Sequence, residues 1–340
     1  MLTPEAVQAH LDSLTKPPGS LGRLEDLAAR LCRIQQTLRP ATRPRRRVVF
    51  AADHGVVEEG VTAWGSEVTE LMVRNIVGGG AASSVLARAT GTDLRLIDVG
   101  TFAPALPEST AYACHKVRAG TRNLARGPAL TADEFGHAVE IGRVEARAAA
   151  AGGVRVVAAG EMGIGNTTPA SCLTALLAGG VAEECVGRGA GVGDEALGRK
   201  VAVVSRAVDA ARARLGADPV GAMAAVGGLE IAAIAGFFAE AAEIGLTVVL
   251  DGFVATSGAL VAERLRAGTA TSLIAAHRSA EPGHALALAG LGLVPFLDTW
   301  RMRLGEGTGA LLLMPLLDAA AAVVAEMATL SDAGIRPDGR

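Results

Sequence analysis

Five short apolar runs, each followed by a turn that contains glycine and then by a helical stretch, constrain the fold of this chain most strongly. The runs are 48–52, 94–99, 154–159, 246–250 and 272–276. Buried strands that alternate with helices are typical of a parallel sheet covered by helices on both faces. The pattern therefore predicts an α/β fold with a mostly parallel, Rossmann-like sheet.

Both ends of the chain have a helical pattern instead. Near the start, leucine and isoleucine recur at steps of three and four residues and share one helix face: Leu21, Leu24, Leu27, Leu31 and Ile34. The stretch 308–330 is rich in alanine and leucine. We expect residues 41–304 to form an α/β catalytic domain. Residues 1–40 and 305–340 are expected to form a small helical subdomain, and the arginines of 43–47 predict a solvated linker.

Charge and composition exclude several classes of partner. The chain has 32 basic and 35 acidic side chains, a net charge of −3, and only 3% aromatic residues, which argues against nucleic acid. The longest stretch without a charged residue, 162–182, contains polar and glycine residues and predicts no membrane span. The first residues include acids and predict no signal peptide. Four widely spaced cysteines suggest reduced core thiols, so we expect a cytoplasmic protein.

The most informative turn follows the run 154–159 and reads GEMGIGNTTP from Gly160. A strand, a glycine-rich turn and a helix N-terminus together form a geometry that binds anions through backbone N–H groups. Thr168 is the expected N-cap and Pro169 the expected first helical residue. Glu161 would repel a phosphate but would suit ribose hydroxyls or a developing positive charge. The alternative is a tight, well-capped turn without a ligand.

Two further turns carry candidate groups for an anion. The glycine-rich stretch 187–193 permits close backbone approach, and Lys200 downstream could provide a point charge for phosphate, although a solvated helix lysine is the usual case. Ser279 could donate its hydroxyl to an anion. The nearby His277 and His284 have no third ligand in view, so the sequence predicts no metal site.

Two acidic positions allow either a structural or a catalytic interpretation. Glu306 lies between Gly305 and Gly307, just before an apolar helix. Its carboxylate either stabilises the helix N-terminus or takes part in catalysis. Asp53 and His54 follow the first apolar run. No nucleophile accompanies them in a recognisable motif, so a turn that fixes the loop is favoured over a catalytic pair.

Seven stretches, by their order and spacing along essentially the whole chain, resemble one enzyme family. They read TKPPGSLGRLE, ADHG, GEMGIGNTTPA, VGGLE, LDGF, HRSAE and RLGEGTG. This set is similar to the nicotinate-nucleotide–dimethylbenzimidazole phosphoribosyltransferase family of cobalamin nucleotide-loop assembly. The resemblance implies that nicotinate mononucleotide and 5,6-dimethylbenzimidazole react to α-ribazole 5′-phosphate and nicotinate.

The resemblance also implies residue roles, an assembly and the absence of a cofactor. Glu306 would be the general base, and Glu161 would lie near the ribose, where a carboxylate would favour an oxocarbenium-like transition state. The residues near the phosphate would be Gly163, Gly189, Lys200 and Ser279. A pocket for the aromatic base would include Trp64, Met72 and Leu304. The family fold implies a homodimer with a shared active site, and no metal or other cofactor is expected because no pyrophosphate departs.

One departure from the family pattern and three alternatives to the implied reaction remain open. The segment 62–68 reads TAWGSEV, where the family commonly has a serine or an aromatic residue followed by proline, so the accepted base is open. A different benzimidazole or a phenol could be the acceptor. A dehydrogenase is disfavoured because the first strand ends in ADHG rather than GxGxxG. A non-catalytic nucleotide-binding protein would function without Glu306.

Overall fold

A six-stranded parallel sheet lies at the centre of the computed structural model, which describes residues 1–335. Its strands are β1 (Arg45–Ala52), β2 (Asp93–Gly100), β3 (Tyr112–Cys114), β4 (Val156–Met162), β5 (Thr247–Leu250) and β6 (Leu273–Ala275). The strand order is β3-β2-β1-β4-β5-β6, and every neighbouring pair is parallel. The predicted α/β fold with a parallel sheet is confirmed. The order reverses between β1 and β4, which is where such sheets bind ligands.

Thirteen α-helices surround this sheet within residues 1–335. They are α1 (Pro4–Ser13), α2 (Arg23–Gln35), α3 (Glu67–Val77), α4 (Ala82–Thr90), α5 (Ala132–Ala151), α6 (Thr167–Ala178), α7 (Ala182–Cys185), α8 (Asp194–Leu215), α9 (Pro219–Val226), α10 (Leu229–Glu243), α11 (Phe253–Leu265), α12 (Gly283–Gly290) and α13 (Thr308–Glu326). Short 3₁₀ helices at Gly55–Glu59 and Thr269–Ser272 complete the described elements.

Strand β4 shows why the apolar runs are continuous rather than alternating. Val157 and Ala159 pack into the large core formed with α5, α6, α10 and α11. Val156 and Ala158, on the opposite face, pack into a second core formed with α1, α2 and α13. Because both faces of the strand are covered, every position along this run is apolar.

The two chain ends pack together, as their helical patterns suggest. Leu11 of α1, Leu31 of α2 and Leu317 of α13 are fully buried in the same core. That core also includes residues of the sheet, and the division at 40 and 305 stays a prediction. Residues 336–340 of the predicted subdomain lie outside the described residues.

Helix α13 is, among residues 1–335, the one helix long and apolar enough to cross a membrane by length and composition alone. Just over half of its most apolar window, 56%, is buried inside the protein. Leu313, Met314 and Leu317 are fully buried in the core with α1 and α2. Packing therefore accounts for its composition. The four cysteines are free thiols, and three of them are buried, as expected.

The prediction that the arginines of 43–47 form a solvated linker is wrong. β1 begins at Arg45, and the side chains of Arg45 and Arg47 are 2% and 0% exposed. Because side chains alternate along a strand, both lie on the face covered by α13. Arg45 pairs with Asp318 of α13 at 2.9 Å, and Arg47 donates to the main-chain oxygen of Glu306.

Candidate active site

A cavity of about 520 Å³ lies at the carboxyl ends of β4, β5 and β6. Its walls come from the loops that follow these strands, from the glycine-rich stretch 187–193 and from the segment before α13. This is the edge of a parallel sheet at which ligands bind. Six of the residues predicted for the site line the cavity together: Glu161, Gly163, Gly189, Lys200, Ser279 and Leu304.

Strand β4 extends beyond its apolar run and carries Glu161 within the strand. Glu161 is in register with Phe50 of β1, so its side chain lies at the point where the strand order reverses. Gly163 follows at the close approach of two strand ends. A Cβ at Gly163 would come within 2.3 Å of the carbonyl oxygen of Ala52, so no larger residue fits there without a shift.

The helix after this turn begins earlier than its sequence suggests. α6 starts at Thr167, with Asn166 as the N-cap, so the predictions of Thr168 as N-cap and Pro169 as first helical residue are wrong. Asn166 already has helical backbone angles, φ −62° and ψ −22°. Its side chain does not cap the helix, because its Nδ2 donates to the Oε2 of Glu161. The turn therefore serves to hold Glu161.

The carboxyl group of Glu161 lies in a setting that favours its uncharged form. Burial raises the pKa of Glu161 well above its ordinary value, and the hydrogen bond from Asn166 opposes this only in part. Three neighbouring carboxylates raise this pKa further, those of Asp251, Glu230 and Glu306. The electrostatic role expected from the sequence needs an ionised Glu161, so this direction argues for a hydrogen-bonding role instead.

Lys200 is a buried cation at the cavity wall and not a solvated helix lysine. Its side chain is almost fully buried, and its Nζ donates to the hydroxyl of Thr167 at 2.7 Å and to the carbonyl of Gly187 at 3.0 Å. Burial lowers the pKa of Lys200 to about 8, while the carboxylate of Glu281 opposes this shift. The ammonium group therefore stays charged at neutral pH beside the first turn of α6.

Ser279 is held in place by a hydrogen bond to His284. The backbone N–H of Ser279 donates to Nδ1 of His284 at 2.7 Å, which assigns the ring proton to Nε2. Nε2 then donates to the hydroxyl of Thr256 at 2.9 Å. Burial lowers the pKa of His284 to about 3, so the ring is neutral. Within residues 1–335, no three His, Cys, Asp or Glu side chains are grouped to hold a metal ion.

The loop that carries Glu306 has an uncommon backbone conformation. Gly305, Glu306 and Gly307 all have positive φ, at 82°, 58° and 78°. Such a conformation is costly for a residue with a Cβ and persists only where the surroundings fix it. A Cβ at Gly160 would come within 2.4 Å of the carbonyl carbon of Glu306. The loop therefore lies directly on the end of β4, next to Glu161.

Asp251, which directly follows β5, fixes this loop and was missed by the sequence analysis. Its Oδ2 accepts from the N–H of Gly307 at 2.9 Å, and its Oδ1 accepts from Gly309 at 2.8 Å and Ala310 at 3.1 Å. A buried carboxylate thus caps the N-terminus of α13, where the helix dipole favours negative charge. Its position directly after the apolar run 246–250 was the available signal.

The carboxylate of Glu306 is buried beside the cavity rather than among its lining residues. The side chain is 3% exposed, and Oε2 accepts from the hydroxyl of Ser83 at 2.6 Å. Gly305 and Leu304, its neighbours in the chain, do line the cavity. The guanidinium of Arg47 lies near enough to interact with the charge of Glu306. The predicted general base is thus adjacent to the cavity, where Ser83 and Arg47 hold its carboxylate.

Two of the residues predicted for the base pocket do not line the cavity. Trp64 is 55% exposed, and Met72 on α3 is half-buried outside the cavity lining. Thr62, from the same loop as Trp64, does line it. Leu304 lines the cavity and is 56% exposed.

Asp53 and His54 fix the loop after β1, as their sequence favours. The Nε2 of His54 lies 2.8 Å from Oε1 of the fully buried Glu230, and Asp53 accepts from the backbone N–H of Phe102 at 2.7 Å. Neither residue lines the cavity. His277, weighed only as a metal ligand in the sequence, does line it, with Nδ1 4.0 Å from Oδ1 of Asp251.

Comparison with known proteins agrees with this fold. A family model described as phosphoribosyltransferase (DBI_PRT) matches residues 3–335. A protein of Thermus thermophilus named nicotinate-nucleotide–dimethylbenzimidazole phosphoribosyltransferase is 50% identical over 325 residues, 96% of each chain. A Geotalea uraniireducens protein of the same name is 46% identical and aligns over 96% of this chain and 92% of its own. The crystal structure of CobT from Thermus thermophilus superposes with a TM-score of 0.93 at 48% identity, over 98% of this chain and 99% of that one. The chain therefore belongs to this phosphoribosyltransferase family, which confirms the resemblance seen in its sequence.

Proposed function

We propose that this chain is an enzyme that transfers the 5-phosphoribosyl group of nicotinate mononucleotide to 5,6-dimethylbenzimidazole. The products are α-ribazole 5′-phosphate and nicotinate, with inversion at C1′. The observation that carries the proposal is the grouping of the predicted phosphate and ribose residues around one cavity at the strand ends. The names of the relatives, at up to 50% identity over nearly the whole chain, support the same reaction.

The phosphate of the nucleotide binds at the Lys200 end of the cavity. A buried ammonium group lies there beside the first turn of α6, and both favour an anion. Gly163 and Gly189 let the backbone approach closely, and Ser279 offers a hydroxyl on a loop fixed by His284. Glu161 lies between this end and Gly305, so it contacts the ribose hydroxyls as a hydrogen-bonding group.

The chemistry needs one base and no acid. In nicotinate mononucleotide the pyridine nitrogen is already cationic, so nicotinate leaves with the electron pair of the bond to C1′. One azole nitrogen forms the new bond to C1′, and the other nitrogen gives its proton to the carboxylate of Glu306. Such general-base help is typically worth about 10² to 10⁴ in rate. Holding the two flat rings on opposite sides of C1′ supplies much of the rest.

Incubation with nicotinate mononucleotide and a mixture of benzimidazoles and phenols, read by mass spectrometry, tests the reaction and its acceptor. We expect α-ribazole 5′-phosphate as the dominant product. A dominant phenolic or other benzimidazole product would keep the family reaction but replace the acceptor. Binding of the nucleotide without any transfer product would contradict the proposal and favour a non-catalytic nucleotide-binding protein.

We further propose that the enzyme works in the cytoplasm as a homodimer with a shared site, on small-molecule substrates and without nucleic acid or a membrane. Trp64 and Leu304 support this assembly, since both are large, apolar and more than half exposed, and Leu304 lines the cavity. Analytical ultracentrifugation tests it, and a monomer at all concentrations would contradict the assembly.

Nucleotide affinity should fall as the pH rises through about 8. Lys200 is charged below its lowered pKa of about 8 and neutral above it, so the phosphate loses its cation in alkaline solution. We expect binding of nicotinate mononucleotide to weaken about tenfold between about pH 7 and about pH 9, as the charged fraction falls. Isothermal titration calorimetry across this range measures the effect.

Lys200→Met provides the matched control for this pH dependence. It should bind the nucleotide weakly and with little change over the same range, while binding of the free base stays near that of the wild type. An unchanged alkaline decline in Lys200→Met would remove Lys200 from the phosphate site.

Chelation should leave the activity intact. The phosphate stays on the ribose throughout and no pyrophosphate departs, so the reaction has no step that calls for a divalent cation. We expect equal rates with and without EDTA in the mass-spectrometric assay. A loss of rate that added Mg²⁺ restores would contradict the metal-free mechanism.

A further inference from the structure

The serine at position 83 makes a direct contact with the carboxylate that the proposed function uses as its base. Ser83 is the second residue of α4, and its hydroxyl donates to Oε2 of Glu306 at 2.6 Å. Ser83 is fully buried and Glu306 is 3% exposed, so water does not compete freely for this bond. Hydrogen bonds between a hydroxyl and a carboxylate in such a setting are short and strong.

The contact is specific to one of two adjacent serines. The hydroxyl of Ser84, the next residue, donates to the carbonyl of Ile76 at 2.8 Å and does not reach Glu306. Ser84 is also buried, at 3% exposure. The two side chains therefore have the same size and similar burial and lie on the same helix, but they donate to different acceptors.

The charged groups around Glu306 act in opposite directions. The guanidinium of Arg47 on β1 attracts the carboxylate of Glu306, and so does the first turn of α4. The carboxylate of Asp251 after β5 is oriented toward α13, and Glu161 on β4 adds a further acid close by. A donor hydroxyl holds the carboxylate of Glu306 without adding another charge to this crowded site.

We propose that Ser83 is a positioning residue for the general base, an inference that rests on the proposed function. By occupying Oε2, it leaves Oε1 as the oxygen that takes the azole proton. Oε1 accepts no hydrogen bond from residues 1–335. In the transfer the azole N–H bond breaks, the new O–H bond forms at Oε1, and Ser83 keeps its own proton throughout.

The carboxyl chemical shift of Glu306, in protein with carbon-13 in its glutamate carboxyl groups, tests the inference without depending on turnover. Glu306→Gln assigns the signal, because that signal alone disappears. Ser83→Ala should move this signal, since Oε2 of Glu306 loses its hydrogen-bond donor. Ser84→Ala should leave it unchanged.

Kinetics provide the second readout. In Ser83→Ala, kcat should fall about tenfold across the neutral pH range, because the carboxylate of Glu306 is no longer held with Oε1 free for the azole proton. KM for nicotinate mononucleotide should stay near that of the wild type, because Ser83 does not line the cavity. Ser84→Ala should retain the wild-type profile.

The outcomes separate this inference from the proposed function. If the wild type transfers nothing, the proposed function fails, while the carbon-13 signal still decides whether Ser83 holds the carboxylate of Glu306. An unchanged signal in Ser83→Ala, or an equal change in Ser84→Ala, overturns the inference. Should Ser83→Ala fold poorly by circular dichroism, Ser83→Cys, a weaker donor of similar size, should give a smaller shift in the same direction.

Discussion

Glu306→Gln should bind nicotinate mononucleotide almost normally and lose most of its turnover, with kcat lower by about 10² to 10⁴. The carboxamide has the same shape and can still accept the hydrogen bond from Ser83, but it cannot take the azole proton. Single-turnover rates measured by mass spectrometry give the loss of rate. Calorimetry gives the nucleotide affinity.

Glu326→Gln, at the far end of α13, is the matched control for this loss. It removes a carboxylate from the opposite end of the helix that follows Glu306 and should turn over like the wild type. A Glu306→Gln enzyme with near wild-type kcat would show that another group removes the proton and would refute the assignment of the base.

Asp251→Ala should have the largest effect on stability, a loss of about 3 kcal/mol or more in the free energy of unfolding. Its carboxylate accepts from three backbone N–H groups at the start of α13, all in the buried interior. Without it these donors lack a partner and the left-handed backbone of Glu306 loses its support. Urea unfolding measures the loss, and kcat should fall with it.

Asp251→Asn is the graded control, because it keeps one acceptor oxygen and places an NH₂ group against the remaining backbone donors. We expect it to lie between the wild type and Asp251→Ala in stability. If Asp251→Ala unfolds at nearly the wild-type urea concentration, then Asp251 does not hold the loop.

The sheet could be predicted from the sequence because strands buried on both faces leave a local signal. Five of the six strands overlap the apolar runs, as β4 illustrates. Strand β3 was missed because it has only three residues at the edge of the sheet, too few to form a pattern. The burial of the β1 arginines could not be predicted, since four charges within five residues hide the alternation that buries Arg45 and Arg47.

The cavity residues could be predicted where they follow a strand within glycine-rich turns, as Glu161 and Gly163 do. The partners that orient them could not. Ser83 and Glu306 are 223 residues apart, and their contact exists only because α4 and the start of α13 meet in the folded chain. The burial that holds the pKa of Glu161 high and that of Lys200 low likewise depends on the whole fold.

A crystal structure of Glu306→Gln with nicotinate mononucleotide and dimethylbenzimidazole tests the central claim most directly. We expect the nucleotide phosphate at Lys200, one azole nitrogen facing C1′ and the other within hydrogen-bond distance of the carboxamide at position 306. A side chain at 306 that points away from both ring nitrogens, with the azole bound elsewhere, would contradict it.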